Sequence, residues 1–179
     1  MKRLLLAYLL FIFACAASAA PVSWTAPHGQ FGQLRFIVSS VLPSQGRHTY
    51  GPKNLYTSDK VAWCEGAHGD GIGQWVKVTF AGGTGEFGSI YITNGYAKSA
   101  RAFYDNNRIK RVRITLSNGK QYYATLRDQR HSYKIRLPHK VTVRWVKLTI
   151  LSVYPGKKYR DTCLTSIMPD QEEFNYDFS

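Results

Sequence analysis

Short runs of alternating apolar and polar residues, separated by turn residues, are the feature of this sequence that most restricts its fold. The clearest runs are QWVKVTF at residues 74–80, IKRVRITL at 109–116 and SYKIRL at 132–137. A period of two places every second side chain on the same face of a strand. No segment after residue 20 sustains a helical period. The sequence therefore predicts an all-β protein, either a sandwich or a barrel.

Eight or so strands follow from these runs and the turns between them. They are predicted at residues 34–40, 61–64, 74–80, 89–93, 109–116, 121–126, 132–137, 141–153 and 162–168. In the strand at 74–80, Trp75, Val76 and Val78 are the core candidates. Asn118-Gly119 joins two runs and predicts a type I′ hairpin, because both residue types tolerate positive φ.

The first nineteen residues have the pattern of a secretory signal peptide. Lys2 and Arg3 precede an apolar run at residues 4–14, and Ala17-Ser18-Ala19 offers small residues for cleavage. The apolar run is short for a membrane span. We therefore expect export to the periplasm or the exterior, with no transmembrane segment after signal cleavage.

A second cleavage route would anchor the protein to a membrane. Ile12-Phe13-Ala14-Cys15 loosely resembles a bacterial lipobox, in which Cys15 would become a lipidated N-terminus. Phe13 fits that pattern poorly, so cleavage after Ala19 is the favoured route and Cys15 is interpreted as part of the apolar segment.

Positive charge is the main compositional signal. Residues 21–169 carry 22 Lys and Arg and seven Asp and Glu, a net charge of +15. Such a surface attracts anionic glycans, lipid headgroups, cell-wall polymers or nucleic acid, but charge alone does not choose among them. Residues 170–179 contain four acids and no Lys or Arg, which suggests a tail that folds over the basic face and masks it.

The predicted organisation has four parts: a signal peptide at residues 1–19, a linker at 20–33, one domain at 34–169 and an acidic C-terminal tail at 170–179. Cys64 and Cys163 remain after signal cleavage. In an oxidising compartment they would form a disulfide; the alternative is two buried free thiols.

Three phrases carry a resemblance to a known family. They are NLYTSDKVAWCEGAHGDGIGQWVKVTF at residues 54–80, IYITNGYAKSARAFYDNNRIKRVRI at 90–114 and ILSVYPGKKYRDTCLTSI at 150–167. Together they resemble the NAD-glycohydrolase translocation domain, a discoidin-like (coagulation-factor type C) branch of the galactose-binding-like superfamily. The resemblance covers most of residues 34–168. It implies a discoidin-like jelly-roll β-sandwich of about eight strands, without catalytic activity, whose loops at one end bind carbohydrate.

Two departures from the family pattern bear on metal and disulfide sites. Relatives carry an Asp-Gly turn shortly before Trp63 and a Glu near the last strand, and such acids often support calcium. Here Asp59 stands alone in that turn and Thr165 precedes Ser166 in the last strand. Calcium needs six to eight oxygens, so we expect no metal and no cofactor. The presence of Cys64 and Cys163 in these same two motifs implies a disulfide that joins the two regions.

Seven polar and aromatic residues of the loops are the candidates for a carbohydrate site. Aromatic faces stack on sugar rings, and amide, carboxylate and cationic groups bond to hydroxyls or acidic groups. The candidates are Trp63, Glu65, Asn94, Tyr96, Lys98, Asn106 and Arg108.

Structural roles compete with several of these assignments. Trp63 and Trp75 could fill the core, Glu65 could hold a nearby Lys, and Asn94 could serve only a turn. A third group lies at residues 157–161, where an ion pair between Arg160 and Asp161 is favoured.

The sequence offers no convincing catalytic site. Its five histidines share no metal-binding spacing, and no nucleophile or phosphate-loop motif occurs. Glu65 and Asp70 are a weak candidate for a hydrolytic pair. The leading prediction is an exported, non-enzymatic module that binds glycans at the bacterial envelope or outside. The alternative is a basic envelope scaffold or adaptor for anionic polymers or a protein partner. No specific nucleic acid is expected, and a hydrolase is the third hypothesis.

Overall fold

The computed structural model describes residues 20–27 and 32–171. Ten strands and two short helices lie within this part of the chain. In chain order they are β1 (Val22–Thr25), β2 (Leu34–Val38), α1 (Asn54–Thr57), β3 (Trp63–Cys64), β4 (Trp75–Phe80), β5 (Gly85–Asn94), α2 (Ala100–Asp105), β6 (Asn107–Leu116), β7 (Gln121–Thr125), β8 (Tyr133–Val143), β9 (Trp145–Tyr154) and β10 (Thr162–Pro169).

The strands form two layers that are joined at one place. The order is β1-β2-β4-β9-β6-β10-β5-β8, with β7 added to β6 and β3 added to β10. The junction between β6 and β10 is a short parallel pairing of Asn107 with Thr162 and Arg108 with Cys163, whereas the other strand pairs are antiparallel. The predicted jelly-roll β-sandwich is thus confirmed, with ten strands instead of about eight.

Alternation along the strands selects the core. Val76, Val78 and Phe80 of β4 are buried, and so are the alternate apolar residues of β6 and β9. The prediction that Trp75 shares this core with Val76 and Val78 is wrong. Neighbouring residues of a strand point to opposite faces, and Trp75 lies half-buried on the outer face beside Lys77.

Two element boundaries differ from the prediction. The predicted strand at 141–153 is interrupted at Arg144, which separates β8 from β9. Strand β8 runs through Pro138, and it can do so because it lies at the edge of the sheet, where a missing N–H breaks no ladder. The helices α1 and α2 were not predicted, since four and six residues are too few to show a helical period.

The hairpin between β6 and β7 is confirmed, but its predicted turn type is wrong. Gly119 has φ 85°, whereas no non-glycine residue in the described part of the chain has positive φ. Gly119 N donates to Leu116 O, and Leu116 N donates to Lys120 O. This pattern is a three-residue loop, a type I turn followed by a left-handed glycine, in which Asn118 keeps negative φ.

Both ends of the predicted domain need adjustment. Part of the predicted linker is strand β1, which pairs with β2 from Val22↔Val38 to Thr25↔Arg35. Asp170, predicted to begin an exposed tail, is buried and bonds to Ser89 and Lys134. The predicted signal peptide at 1–19 and the predicted tail from residue 172 onward lie outside the described residues. Within residues 20–27 and 32–171, no helix has the length and apolar character to cross a bilayer.

Candidate functional site

Loops from three distant parts of the chain enclose a cleft of about 330 Å³. The first follows β2, the second includes α2, and the third joins β9 to β10. The lining residues are Leu42, Gln45, His48, Tyr50, Tyr96, Lys98, Ser99, Arg101, Ala102, Asp105, Asn106, Lys158, Tyr159 and Asp161.

The base of the cleft is built on the disulfide. Cys64 of β3 and Cys163 of β10 are cross-strand partners and form the bond that the family resemblance implied. Tyr50 packs on this buried pair, and Tyr96 packs against the same cluster. The two tyrosine rings meet edge to face, with centroids 6.4 Å apart. The disulfide therefore fixes the position of two aromatic side chains of the cleft.

Helix α2 forms one wall and is held by its own side-chain bonds. Ser99 caps its first turn by accepting a hydrogen bond from Ala102 N at 3.1 Å. Asn106 Nδ2 donates to Ala102 O at 2.8 Å at the other end. Arg101 and Asp105 form an ion pair at 3.5 Å across one turn. These contacts place the polar side chains of the helix at the cleft.

The loop between β9 and β10 packs directly on this helix. The backbone N–H groups of Lys158 and Tyr159 both donate to Asp105 O, at 3.1 and 2.8 Å. Gly156 allows this approach, because a Cβ there would lie 2.5 Å from the carbonyl carbon of Asn106. Helix α2 and the loop between β9 and β10 are consequently held together by backbone hydrogen bonds.

The cleft combines aromatic surface with charges of both signs. Lys98 and Lys158 are exposed cations, and Tyr159 is exposed over 43% of its surface. Burial raises the pKa of Asp161, and burial followed by the charge of Asp161 raises the pKa of Tyr50. Hydroxyl, carboxylate, amide and ammonium groups beside flat rings can bind a polyhydroxylated ligand.

Three of the seven predicted ligand residues line the cleft, namely Tyr96, Lys98 and Asn106. The structure places the other four inside the protein. Their predicted role as contact surface is corrected, since a buried side chain with its polar atoms bonded to protein presents little to a ligand.

Trp63 and Glu65 are both fully buried. Trp63 lies in the main core and its Nε1 donates to Ser40 O at 2.8 Å. Glu65 Oε2 accepts from Ala67 N at 2.7 Å, and its Oε1 accepts from Thr162 N at 3.1 Å. Burial raises the pKa of Glu65 despite these two bonds, which lower it.

Asn94 and Arg108 hold the region between β5 and β6 together. Asn94 is fully buried; its Nδ2 donates to Ile109 O and its Oδ1 accepts from Ile109 N. Arg108 is 5% exposed and forms two bonds with the carboxylate of Asp128, at 3.0 and 2.9 Å. It also donates to the carbonyl of Pro155 at 2.8 Å.

The favoured ion pair between Arg160 and Asp161 is wrong. Arg160 instead makes two bonds with Asp70, at 2.9 and 2.7 Å. These bonds, with one from Asn107 Nδ2, lower the pKa of Asp70. Asp161 is left beside the cleft.

Sequence reasoning did not select Tyr50 or Tyr159, although both line the cleft. Each is an aromatic residue inside a loop that has turn or basic residues on either side: Tyr50 before Gly51-Pro52, and Tyr159 between Lys158 and Arg160. An aromatic side chain without a strand to bury it is a signal that could have identified them.

Comparison with known proteins agrees with this architecture. Residues 32–170 match the family described as the NAD glycohydrolase translocation F5/8 type C domain. No curated protein matches this chain.

Solved carbohydrate-binding modules have similar folds. The family 32 module of C. perfringens NanJ, in complex with galactose, has a TM-score of 0.56 at 14% identity over 82% of this chain and 97% of that one. The family 32 module of Streptococcus pneumoniae EndoD has a TM-score of 0.55 at 8% identity, over 76% and 95%. A family 32 module of a family 31 glycoside hydrolase from Clostridium perfringens has a TM-score of 0.52 at 10% identity, over 82% of this chain and 92% of that one. At such low identities these likenesses concern the fold alone. The match over residues 32–170 carries the assignment: the chain belongs to the NAD glycohydrolase translocation F5/8 type C domain family.

Proposed function

We propose that this protein is an exported, non-catalytic carbohydrate-binding module whose ligand occupies the cleft on the disulfide. The observation that carries the proposal is the cleft itself, which Tyr50, Tyr96 and Tyr159 line together with Lys98 and Asp161. Aromatic rings supply apolar faces for the C–H groups of a sugar, and the charged groups bond to its hydroxyls. The similar folds of galactose- and glycan-associated modules support this choice of ligand class.

Export is the cellular part of the proposal and rests on the signal pattern of residues 1–19. The disulfide supports it, since such bonds persist in the periplasm and outside the cell. Release after Ala19 remains favoured over lipidation of Cys15.

The hydrogen bonds of Glu65 and Asp70, the candidate hydrolytic pair, favour a binding role over hydrolysis. Both oxygens of Glu65 accept bonds from backbone N–H groups, and Asp70 is engaged by Arg160. Glu65 is also fully buried, so neither carboxylate is placed to exchange a proton with a bound sugar, as hydrolysis of a glycosidic bond would require.

Titration of residues 20–179 against a glycan panel tests the proposal, followed by calorimetry on the glycans that bind. Tyr96→Ala and Lys98→Ala should each weaken binding, whereas Lys60→Ala, which removes an exposed Lys elsewhere, should not. Binding unchanged in both cleft variants would overturn the site. Turnover of glycans or NAD by the purified protein would overturn the non-catalytic assignment.

A further inference from the structure

The larger layer, formed by β1, β2, β4, β9, β6 and β7, carries positive charge on its outer face that no acid in the same strands balances. The strands β1, β2, β4, β6, β7 and β9, all of which the structure describes in full, contain no Asp or Glu. They contain seven basic residues, Arg35, Lys77, Arg108, Lys110, Arg111, Arg113 and Lys147. Of these, Arg108 is buried and paired with Asp128, so it does not contribute to the charge of the outer face. We define the platform as the outward-facing group Trp75, Lys77, Arg113, Tyr123, Trp145 and Lys147.

The register brings like charges together at the centre of the platform. Lys77 of β4 and Lys147 of β9 are direct cross-strand partners, an arrangement that disfavours folding. Each ammonium group lies near an indole: Lys77 Nζ is 5.7 Å from the Trp145 ring centroid, and Lys147 Nζ is 5.7 Å from that of Trp75. These cation–π contacts hold both lysines over the sheet and partly offset their repulsion.

Polar atoms beneath the platform are buried without hydrogen-bond partners. Among the described residues, Thr79 Oγ1, Thr149 Oγ1 and Arg113 Nε are in this state. Thr149 is 6% exposed and lies between Trp75 and Arg113 in the register. Native proteins leave few buried polar groups unpaired. These buried atoms are out of reach of a ligand, so acceptor oxygens would be bound by the charged ends of Lys77, Lys147 and Arg113 above them.

The shape of the platform suits a chain and not a single ring. The backbones of Trp75 and Trp145 are offset by one strand and four positions, about 13 Å along the strand direction. Their rings lean closer than this, since Lys77 Nζ lies 6.0 Å from the Trp75 centroid and 5.7 Å from that of Trp145. Tyr123 extends the platform beyond Arg113, its cross-strand partner, and is 63% exposed. The result is an extended strip with cations between aromatic residues.

We propose that the platform is a second binding site, for a linear acidic polysaccharide. Carboxylate or sulfate groups along such a chain would neutralise Lys77 and Lys147 and could pair with the guanidinium of Arg113. Single-stranded nucleic acid is disfavoured, because it relies on base stacking and lysine ammonium groups already lie over both indoles. The platform shares no residue with the cleft, so this proposal does not depend on the proposed function.

The test compares two double variants of residues 20–179 by calorimetry with polygalacturonate, dextran and oligo(dT) at low salt. Lys77→Gln/Lys147→Gln should weaken polygalacturonate binding about tenfold, the effect of losing two partly exposed charge contacts. Lys53→Gln/Lys60→Gln removes the same charge from exposed positions elsewhere and should change affinity less than about twofold. Dextran should not bind to the platform.

The melting temperature separates binding from structure. The platform variant should melt at the same temperature as the wild type or higher at low salt, since it removes the facing charges. Equal losses of affinity in the two double variants, or tighter binding of oligo(dT) than of polygalacturonate, would overturn the proposal. So would a platform variant that loses affinity only because it unfolds. Titration of the platform variant with cleft ligands should give wild-type affinity, which separates failure of one site from failure of the other.

Discussion

Residues 63–73 and residues 94–108 both contain residues that the sequence predicts to bind a ligand, but the structure places those residues differently. In the first segment Glu65 is fully buried, and both of its oxygens accept backbone hydrogen bonds. In the second, Tyr96 and Lys98 line the open cleft. The difference lies in the neighbouring backbone. Glu65 is buried where its carboxylate satisfies two backbone N–H groups, and Asn94 of the second segment is likewise buried where its amide bonds to the backbone of Ile109. Tyr96 and Lys98 lie in the loop before helix α2 and remain at the cleft.

The disulfide joins these two regions, and its removal should have the largest effect. Cys64→Ala/Cys163→Ala opens a link across 99 residues, which in the chain-entropy model lowers the free energy of unfolding by about 4–5 kcal/mol. Glycan affinity should also fall, because Tyr50 and Tyr96 lose their support. Guanidinium unfolding followed by tryptophan fluorescence measures the first effect. A loss below about 1 kcal/mol would show that the bond carries little of the stability.

The contrast between the two segments is tested next by Glu65→Ala. Two backbone N–H groups, of Ala67 and Thr162, lose their acceptor, and the free energy of unfolding should fall by about 2–4 kcal/mol. Asp59→Ala, at an exposed position, serves as the control and should stay within about 0.5 kcal/mol. If Glu65→Ala reduced glycan affinity without changing stability, Glu65 would contact the ligand. Its assigned role as a buried structural acceptor would then be wrong.

Within residues 63–73, two carboxyl groups should respond to pH in opposite ways. The pKa of Glu65 is raised above its usual 4.5, chiefly by burial, so the stability that it contributes decreases as pH rises through the raised value. The pKa of Asp70 is lowered below 3.8, chiefly by Arg160, so its contribution is present above 3.8 and is lost as pH falls through the lowered value.

The two groups can be distinguished by melting temperatures measured from below pH 3.8 up to neutral pH. The proteins compared are the wild type, Glu65→Gln and Asp70→Asn. Glu65→Gln should remove a decline of stability with rising pH, and Asp70→Asn should remove a loss in acid. Parallel profiles for the three proteins would mean that neither carboxyl group is perturbed as the structure indicates.

Local periodicity was sufficient to predict most of the sandwich. Val76, Val78 and Phe80 are buried as alternation requires, and the hairpin at Asn118-Gly119 lies where the turn residues place it. Errors arose where local signals were degenerate. Alternation does not say which of Trp75 and Val76 faces inward, and Asn-Gly is compatible with more than one hairpin turn.

The cleft could be predicted only in part, because it is assembled from contacts across long sequence separations. Tyr50, Tyr96 and Tyr159 come from three loops that the β3–β10 pairing and the disulfide bring together. The sequence alone does not show which of its polar loop residues meet there. The family resemblance predicted the disulfide and a binding site in the loops at one end of the sandwich. It did not predict that Trp63 and Glu65 are buried whereas Tyr96 lines the cleft.

The smallest expected effect concerns a single hydroxyl group, that of Tyr159 at the cleft. Tyr159 lines the cleft and is 43% exposed. The substitution Tyr159→Phe keeps its ring and removes the hydroxyl group, which is one hydrogen-bond donor and acceptor. Stability should change by less than about 0.5 kcal/mol, whereas glycan affinity should fall about three- to tenfold, the effect of one lost hydrogen bond. Calorimetry at constant pH measures the affinity, and thermal unfolding provides the control. If Tyr159→Phe leaves affinity unchanged while Tyr159→Ala abolishes binding, the ring and not the hydroxyl contacts the sugar, and aromatic stacking is the main source of affinity in the cleft.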